Sequence, residues 1–174
     1  MTAADATLLE TDRLRLTGWR AEEADDLLRL HGDPEVARYL ANGKPWTAEQ
    51  AREAIALWMQ LFETQRLGKL RLIRKSDDTF IGRAGFGLYP PTGEPEIGFA
   101  LFREHWGQGY ATEAATALRD WLFRETAWDH FIGIAARRNT ASLAVLGRIG
   151  MLPTHTEWAF DMDCQFLLLN RPAA

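Results

Sequence analysis

The chain has 174 residues, 47% of them hydrophobic and 25% charged, with a formal net charge of -4 and a single cysteine, Cys164. This is the size and mix of one folded domain. It excludes an internal disulfide, it disfavours a nucleic-acid partner because phosphates need a basic face, and no apolar run approaches the roughly 18 residues of a membrane helix, so a reduced cytoplasmic setting is expected.

The first nine residues read as loose chain, and Asp5 interrupts any basic-then-apolar signal pattern. The domain is taken as 8–171, with 1–7 as a tail. Leu14 and Leu16, alternating with Arg13 and Arg15, read as the first strand. Ala21 to His31 reads as a short helix with Ala24, Leu27, Leu28 and His31 on one side. Asp33-Pro34 supplies an N-cap followed by proline at the first helical position, which predicts a second short helix through Leu40. Thr47 with Gln50 resembles a capping box, and Ala51, Ala54, Ile55, Trp58, Leu61 and Phe62 form a helical stripe that stops near Gly68.

Lys69 to Lys75 and Phe80 to Tyr89 read as two strands joined at Ser76-Asp77-Asp78, and Glu96 to Phe102 as the next. A helix is expected from the glycine-bearing stretch through about Glu125, a short strand over Phe131 to Ala135, and a helix from Asn139 to Ile149 ended by Gly150. From Trp158 to Leu168 every even residue is apolar, which is strand periodicity in one strand or in two around Asp161 to Asp163. The order describes an α+β domain with a mostly antiparallel meander in the middle.

Trp106-Gly107-Gln108-Gly109-Tyr110-Ala111-Thr112-Glu113-Ala114 carries most of the functional information. Glycines let backbone N–H groups converge, and a helix N-terminus favours anions, so the stretch suits a phosphate seat. A triphosphate loop needs Lys and Ser/Thr after its last glycine, whereas Gly109 is followed by Tyr110-Ala111. A dinucleotide fingerprint needs a third glycine where Thr112 stands. A tight strand-to-helix turn without a ligand is the plain alternative.

Glu96-Ile97-Gly98-Phe99-Ala100-Leu101-Phe102, the loop from Trp106 to Ala114, Asn139-Thr140-Ala141-Ser142 and Gly150-Met151 together resemble the GNAT superfamily of N-acetyltransferases. Within it the chain looks like the RimJ/RimL-type branch, as does its opening Leu9-Glu10-Thr11-Asp12-Arg13-Leu14-Arg15-Leu16. The resemblance spans roughly 8–171 and implies a central mixed, mostly antiparallel sheet flanked by helices, with a splayed strand that binds acetyl-CoA. It implies that backbone N–H groups of Trp106, Gly107, Gln108, Gly109, Tyr110, Ala111 and Thr112 hold the CoA pyrophosphate. Ile97, Phe99, Ala100 and Leu101 would pair with the pantetheine arm as if it were a strand. Asn139 would hydrogen-bond that arm, and Ser142 would approach the thiol. Gly98 suits either a bulge or close packing.

An amine that attacks a thioester must lose a proton, its oxyanion needs N–H donors, and the thiolate must leave. Glu96 is the expected base, directly or through water, bracketed by apolar Ile97 and Phe99 so that burial raises its pKa. A solvated strand-end glutamate is the alternative, and Glu113 reads as a first-turn helix charge. The resemblance implies a tyrosine acid seven residues after the asparagine, as many members of the superfamily carry, but that seat is Leu146, so Ser142, a water or bulk solvent must serve. Gly147-Arg148 replaces the branch's usual Glu-Lys, which keeps open a CoA-binding sensor with little turnover. Tyr39, Trp46 and Tyr89 are candidates for the acceptor pocket. The four histidines are too scattered for a metal site, and none is expected. Trp58, Trp121 and Cys164 read as core. The acceptor is expected to be a polypeptide N-terminus or a small amine, with Glu10, Glu22, Glu23 and Asp25 suiting a cationic one; a homodimer is compatible with this reading.

Overall fold

The computed structural model describes residues 6–40 and 42–173. Among the described residues eight strands form one sheet: β1 (Thr7–Glu10), β2 (Leu14–Thr17), β3 (Gly68–Arg74), β4 (Thr79–Tyr89), β5 (Glu94–Leu101), β6 (His130–Ala136), β7 (Leu152–Ala159) and β8 (Met162–Asn170). Their order is β1-β2-β3-β4-β5-β6-β8-β7. β5 and β6 run parallel, their neighbours antiparallel, and the β5–β6 pairing covers Glu96 with Ile132 and Ile97 with Gly133. Beyond Ile97, β5 stays paired with β4 as far as Leu101, while β6 stays paired with β8 as far as Ala136. The two strands therefore part in the middle of the sheet, which is the splay that the acetyltransferase resemblance implies.

The helices are α1 (Ala24–His31), α2 (Pro34–Ala37), α3 (Ala48–Gln65), α4 (Tyr110–Glu125) and α5 (Thr140–Arg148). Thr47 and Gln50 form the expected reciprocal capping box of α3. The Asp33 carboxylate accepts from the Glu35 N–H at the start of α2, but the helix gives way to turns after Ala37 rather than reaching Leu40. Ala84, Phe86, Leu70 and Ile97 pack with α4 in the main core, while Trp19, Trp58, Ile73, Phe80 and Ala100 form a second core with α1 and α3. A bulge in the β3–β4 ladder, where the register shifts between Leu72 and Ile73, brings Ile73 and Phe80 to the second face.

One reading changes and one open alternative is decided. Thr7–Glu10 is a strand, held by pairing with β2, although its short sequence shows no alternation; residues 1–5 lie outside the described residues. The apolar alternation near the C-terminus belongs to two strands joined at Phe160 and Asp161, both with positive φ (52° and 57°), the geometry of a two-residue hairpin turn.

Gly147 lies in α5, and an added Cβ would meet nothing within 4 Å. Gly147→Ala is expected to stabilise the protein by about 0.5–1 kcal/mol, read from denaturant unfolding; an unchanged or lower midpoint would show that the helix gains nothing from alanine there.

Candidate active site

The loop from Trp106 into α4 is shaped by its glycines and fixed from outside. Gly107 and Gly109 have φ of 70° and 82°, values that side-chain-bearing residues rarely adopt. Gly109 is the N-cap of α4 and offers no side chain to its first turn. First-turn N–H groups lack intrahelical acceptors, so they remain available to an anion. Arg13, from the chain entering β2, crosses the loop: its Nη1 donates to the Gln108 carbonyl at 2.9 Å and its guanidinium lies 4.2 Å from the Tyr110 ring centre. Its Nε donates to Glu113 at 2.7 Å, and Glu113 also accepts from the Arg13 N–H and the Thr11 hydroxyl. Burial opposes ionisation of Glu113, but these donors together hold its carboxyl below the usual range. At the other end, the Trp106 indole N–H donates to the Leu101 carbonyl at 2.8 Å and ties the loop to the tip of β5.

A cleft of about 620 Å³ opens between this loop, the free edge of β5 and the start of α5. Phe99, Ala100 and Leu101 line one wall; Trp106, Gly107, Gly109, Tyr110, Ala111 and Thr112 line another. Asn139 and Ser142 lie across from them, with Arg138 and Arg148 beside. Neither arginine forms an ion pair among the described residues, so both are available to an anionic ligand. Asn139 caps α5 by accepting from the Ser142 N–H, and its Nδ2 donates to the Ser142 hydroxyl at 2.9 Å.

A second cavity, about 190 Å³, lies on the α1–α3 side of the splay. Tyr39, Leu40, Phe99, Asn139 and Ser142 border both spaces. Its charged lining is Lys69 on β3, Arg83 on β4 and Glu96 on β5. Register aligns Lys69 with Gly85, Gly85 with Gly98, and Gly87 with Glu96, so the charged side chains share a face over strand positions that carry none. The fit at Gly98 is tight: a Cβ there would sit 2.8 Å from Lys69 Nζ and 3.4 Å from Arg83 Nη1. The β4–β5 register runs unbroken past Gly98, so this glycine serves close packing rather than a bulge.

Burial raises the Glu96 pKa above the ordinary carboxylate range, with Lys69 and Arg83 pulling against it. Burial, with Arg83 nearby, lowers Lys69 to about 8, while Glu96 resists. Arg83 is brought down to about 10 by burial, still a cation at neutral pH. Its Nε donates to His31 Nε2 at 3.2 Å. Burial first, then Arg83 and Lys69, keep His31 neutral, so the proton sits on Nδ1. The His31 ring stacks on Trp46 with centroids 3.7 Å apart. His31 Nδ1 and Arg83 Nη1 are both buried without a hydrogen-bond partner, an arrangement that costs about 1–3 kcal/mol per group.

The profile described as Acetyltransferase (GNAT) domain matches residues 13–152, most of the chain. The protein belongs to the GNAT family of acetyltransferases. It is 34% identical over 143 residues to a Bacillus licheniformis protein named uncharacterized N-acetyltransferase p20, covering 81% of this chain and 80% of that one. It is 30% identical over 169 residues to FsC-acetyl coenzyme A-N(2)-transacetylase of Aspergillus fumigatus, covering 92% and 71%. An acetyltransferase structure from Agrobacterium tumefaciens superimposes with a TM-score of 0.80 at 25% identity over 94% of each chain. RimL, the ribosomal L7/L12 alpha-N-protein acetyltransferase, gives 0.77 at 17% identity, over 92% of this chain and 96% of that one, and shares the fold alone.

Within this GNAT fold most of the expected donor residues come together around one cleft. Two do not. Ile97 is buried in the main core and borders the second cavity instead, and the Gln108 side chain donates to the Glu104 carbonyl while its own carbonyl serves Arg13. Of the acceptor candidates, Tyr39 and Trp46 line the second cavity, whereas Tyr89 packs in a core cluster against Phe160 and Phe166, outside both spaces. Ile97 and Phe99 do not bracket Glu96, because alternate strand residues face opposite sides; Lys69 and Arg83 are its neighbours instead. The residues missed from sequence are Lys69, Arg83, His31, Phe160, Arg138 and Arg148. Trp58, read as core, is core and also a cavity wall. Among the described residues no cluster of His, Cys, Asp or Glu could hold a metal ion, and no helix is long and apolar enough to cross a membrane.

Glu113→Gln should cost about 1–2 kcal/mol at pH 7, since Glu113 is only 19% exposed but its Arg13 partner is 44% exposed. Because folding lowers the Glu113 pKa, the carboxylate stabilises the fold above its unfolded value near 4.3 and that contribution fades as pH falls through the folded value. Denaturant unfolding should therefore show the gap between wild type and variant at pH 7 and its closure below pH 4. A gap independent of pH would remove the carboxylate from the account.

Proposed function

We propose that the protein transfers the acetyl group of acetyl-CoA to a primary amine by direct attack in a ternary complex, the amine belonging to a polypeptide N-terminus or a small molecule. The observation that carries this is the meeting of two cavities at Phe99, Asn139 and Ser142, one bounded by the anion-binding loop and the other by Glu96. The A. fumigatus relative's name specifies acetyl coenzyme A as donor and an N(2) position as acceptor, and RimL's specifies a protein α-amine; these names support the class of reaction.

The residues present fit the donor. The left-handed glycines and uncapped first turn of α4 offer N–H groups to a pyrophosphate, and Arg138 and Arg148 add charge. The edge of β5 beyond Ile97 lacks a strand partner on the β6 side and offers its backbone to an amide-bearing arm. Bound acetyl-CoA supplies the thioester carbonyl that the amine attacks. Glu96 takes the amine proton, directly or through water, and its raised pKa brings it nearer neutrality, where a base works best. N–H groups of β5 near Phe99 stabilise the oxyanion. The Ser142 hydroxyl, accepting from Asn139, keeps its own proton to donate to the departing thiolate. Leu146 borders the same cavity without a proton to give.

Acetyl-CoA should raise the melting temperature, whereas NAD and ATP should not. No shift with acetyl-CoA well above micromolar concentration would sink the donor assignment, and a shift without thiol release across an amine panel would favour a sensor. Glu96→Gln should lower kcat/KM by about 10²-fold or more and flatten its acidic limb, because the wild-type rate rises as pH climbs through the raised Glu96 pKa and ionises the carboxylate. A variant that keeps the full rate across pH would show that Glu96 is not the base.

A further inference from the structure

We propose that the acceptor is a small primary amine that also carries an oxyanion, a carboxylate or a phosphate, seated by Lys69 and Arg83 while its amine meets Glu96. This rests on the acetyltransferase reading of the same site and narrows its substrate class.

The charge balance of the cavity comes first. Two cations, Lys69 and Arg83, face one carboxylate, Glu96, and the remaining groups are the Tyr39 phenol and a neutral His31 behind Arg83. Neither Lys69 nor Arg83 forms an ion pair with any carboxylate among the described residues. Other arginines of the same sheet do: Arg71 pairs with Glu23 at 2.6 Å and Asp26 at 3.0 Å, and Arg74 with Asp77 at 2.6 Å. Buried charges are normally paired; these two cations share one carboxylate, Glu96, beyond ion-pair distance, and both border an open space. Of the acidic residues expected to suit a cationic acceptor, Glu22 and Glu23 pair with Arg20, Glu23 also with Arg71, and Glu10 with Lys75.

The geometry adds specificity. Arg83 is 3% exposed, its Nε is taken by His31, and its buried Nη1 has no partner. Lys69 Nζ and Arg83 Nη1 both lie over Gly98, two positions along β5 from Glu96. An anionic group in the cavity beside the Lys69 ammonium would receive a charge-assisted hydrogen bond from it, with the Arg83 guanidinium behind, and leave the amine end of the molecule toward Glu96. A cavity of about 190 Å³ offers room for a small molecule. Trp46, Trp58 and Phe160 wall its apolar part.

Two matched amine pairs test the seat: β-alanine against its amide, and ethanolamine phosphate against ethanolamine. We expect the anionic member of at least one pair to be acetylated with kcat/KM ten-fold or more above its neutral partner, and the pair that responds identifies the oxyanion. Arg83→Met and Lys69→Met should each erase that preference. With coenzyme A saturating the loop before α4 and no amine present, succinate or inorganic phosphate should raise the melting temperature of the wild type further, and that further shift should disappear in the variants. Retained stabilisation by acetyl-CoA, which reports the other cleft, shows that a variant is folded; should Arg83→Met not fold, Lys69→Met and the wild-type panel decide. Neutral amines used as well as their anionic partners would overturn the proposal, as would an anion shift that persists in a folded variant. A protein that acetyl-CoA fails to stabilise overturns the acetyltransferase reading instead, and the anion shift and its loss in the variants are still read on their own.

Discussion

The parting of β5 and β6 is the constraint on which everything else rests. Parallel pairing between them lasts two residue pairs, Glu96 with Ile132 and Ile97 with Gly133. Each strand then follows its antiparallel neighbour, β5 along β4 and β6 along β8. Those ladders are long and regular, so neither strand is free to close the gap. The Trp106 indole holds the Leu101 carbonyl at the far end of β5, and α5 presses on β6 at Gly133, where a Cβ would meet Leu146 Cδ1 at 3.1 Å. An eight-stranded sheet paired throughout would have no room for either cavity. Here the unpaired backbone of β5 faces a cleft, and unpaired backbone wants a partner.

The loop that follows β5 gains its shape from a distance. Glycines permit the backbone of Gly107 and Gly109, but permission is not order. Order comes from Arg13 and Thr11, nearly a hundred residues earlier, which grip Glu113, the Gln108 carbonyl and the Tyr110 ring. The site is thus prepared before a ligand arrives, which lowers the cost of binding one. The same contacts explain why Glu113 is more than a charge in the first turn of a helix.

Net charge and local charge point in opposite directions. The chain is acidic overall, at -4, yet the second cavity is lined by two cations and one buried carboxylate. Pairing decides the difference: Glu23, Asp26 and Asp77 neutralise arginines around the sheet, whereas among the described residues Lys69 and Arg83 form no ion pair and share Glu96 from beyond ion-pair distance. Phe160 adds a further local cost, since a bulky residue at φ 52° is disfavoured, and the turn that imposes it also brings the ring to the cavity.

The sequence by itself determined the class of fold and most helix starts, because caps and periodicity are local properties of the chain, and its glycine spacing singled out the loop from Trp106 to Thr112 as a candidate anion seat. Glu96 and Asn139-x-x-Ser142 were nominated from short segments and from the resemblance those segments carry, and the structure places them around the two cavities. Only the tertiary structure decided which of these residues share a space, since Ile97 and Gln108 turn away and Tyr89 is core. It alone revealed Lys69 and Arg83, which come from strands separated from Glu96 by up to 27 residues and meet only through cross-strand register over Gly85 and Gly98. Charge in a buried cavity is set by what the fold brings side by side, and that is a property of pairing between strands, which no single stretch of sequence contains.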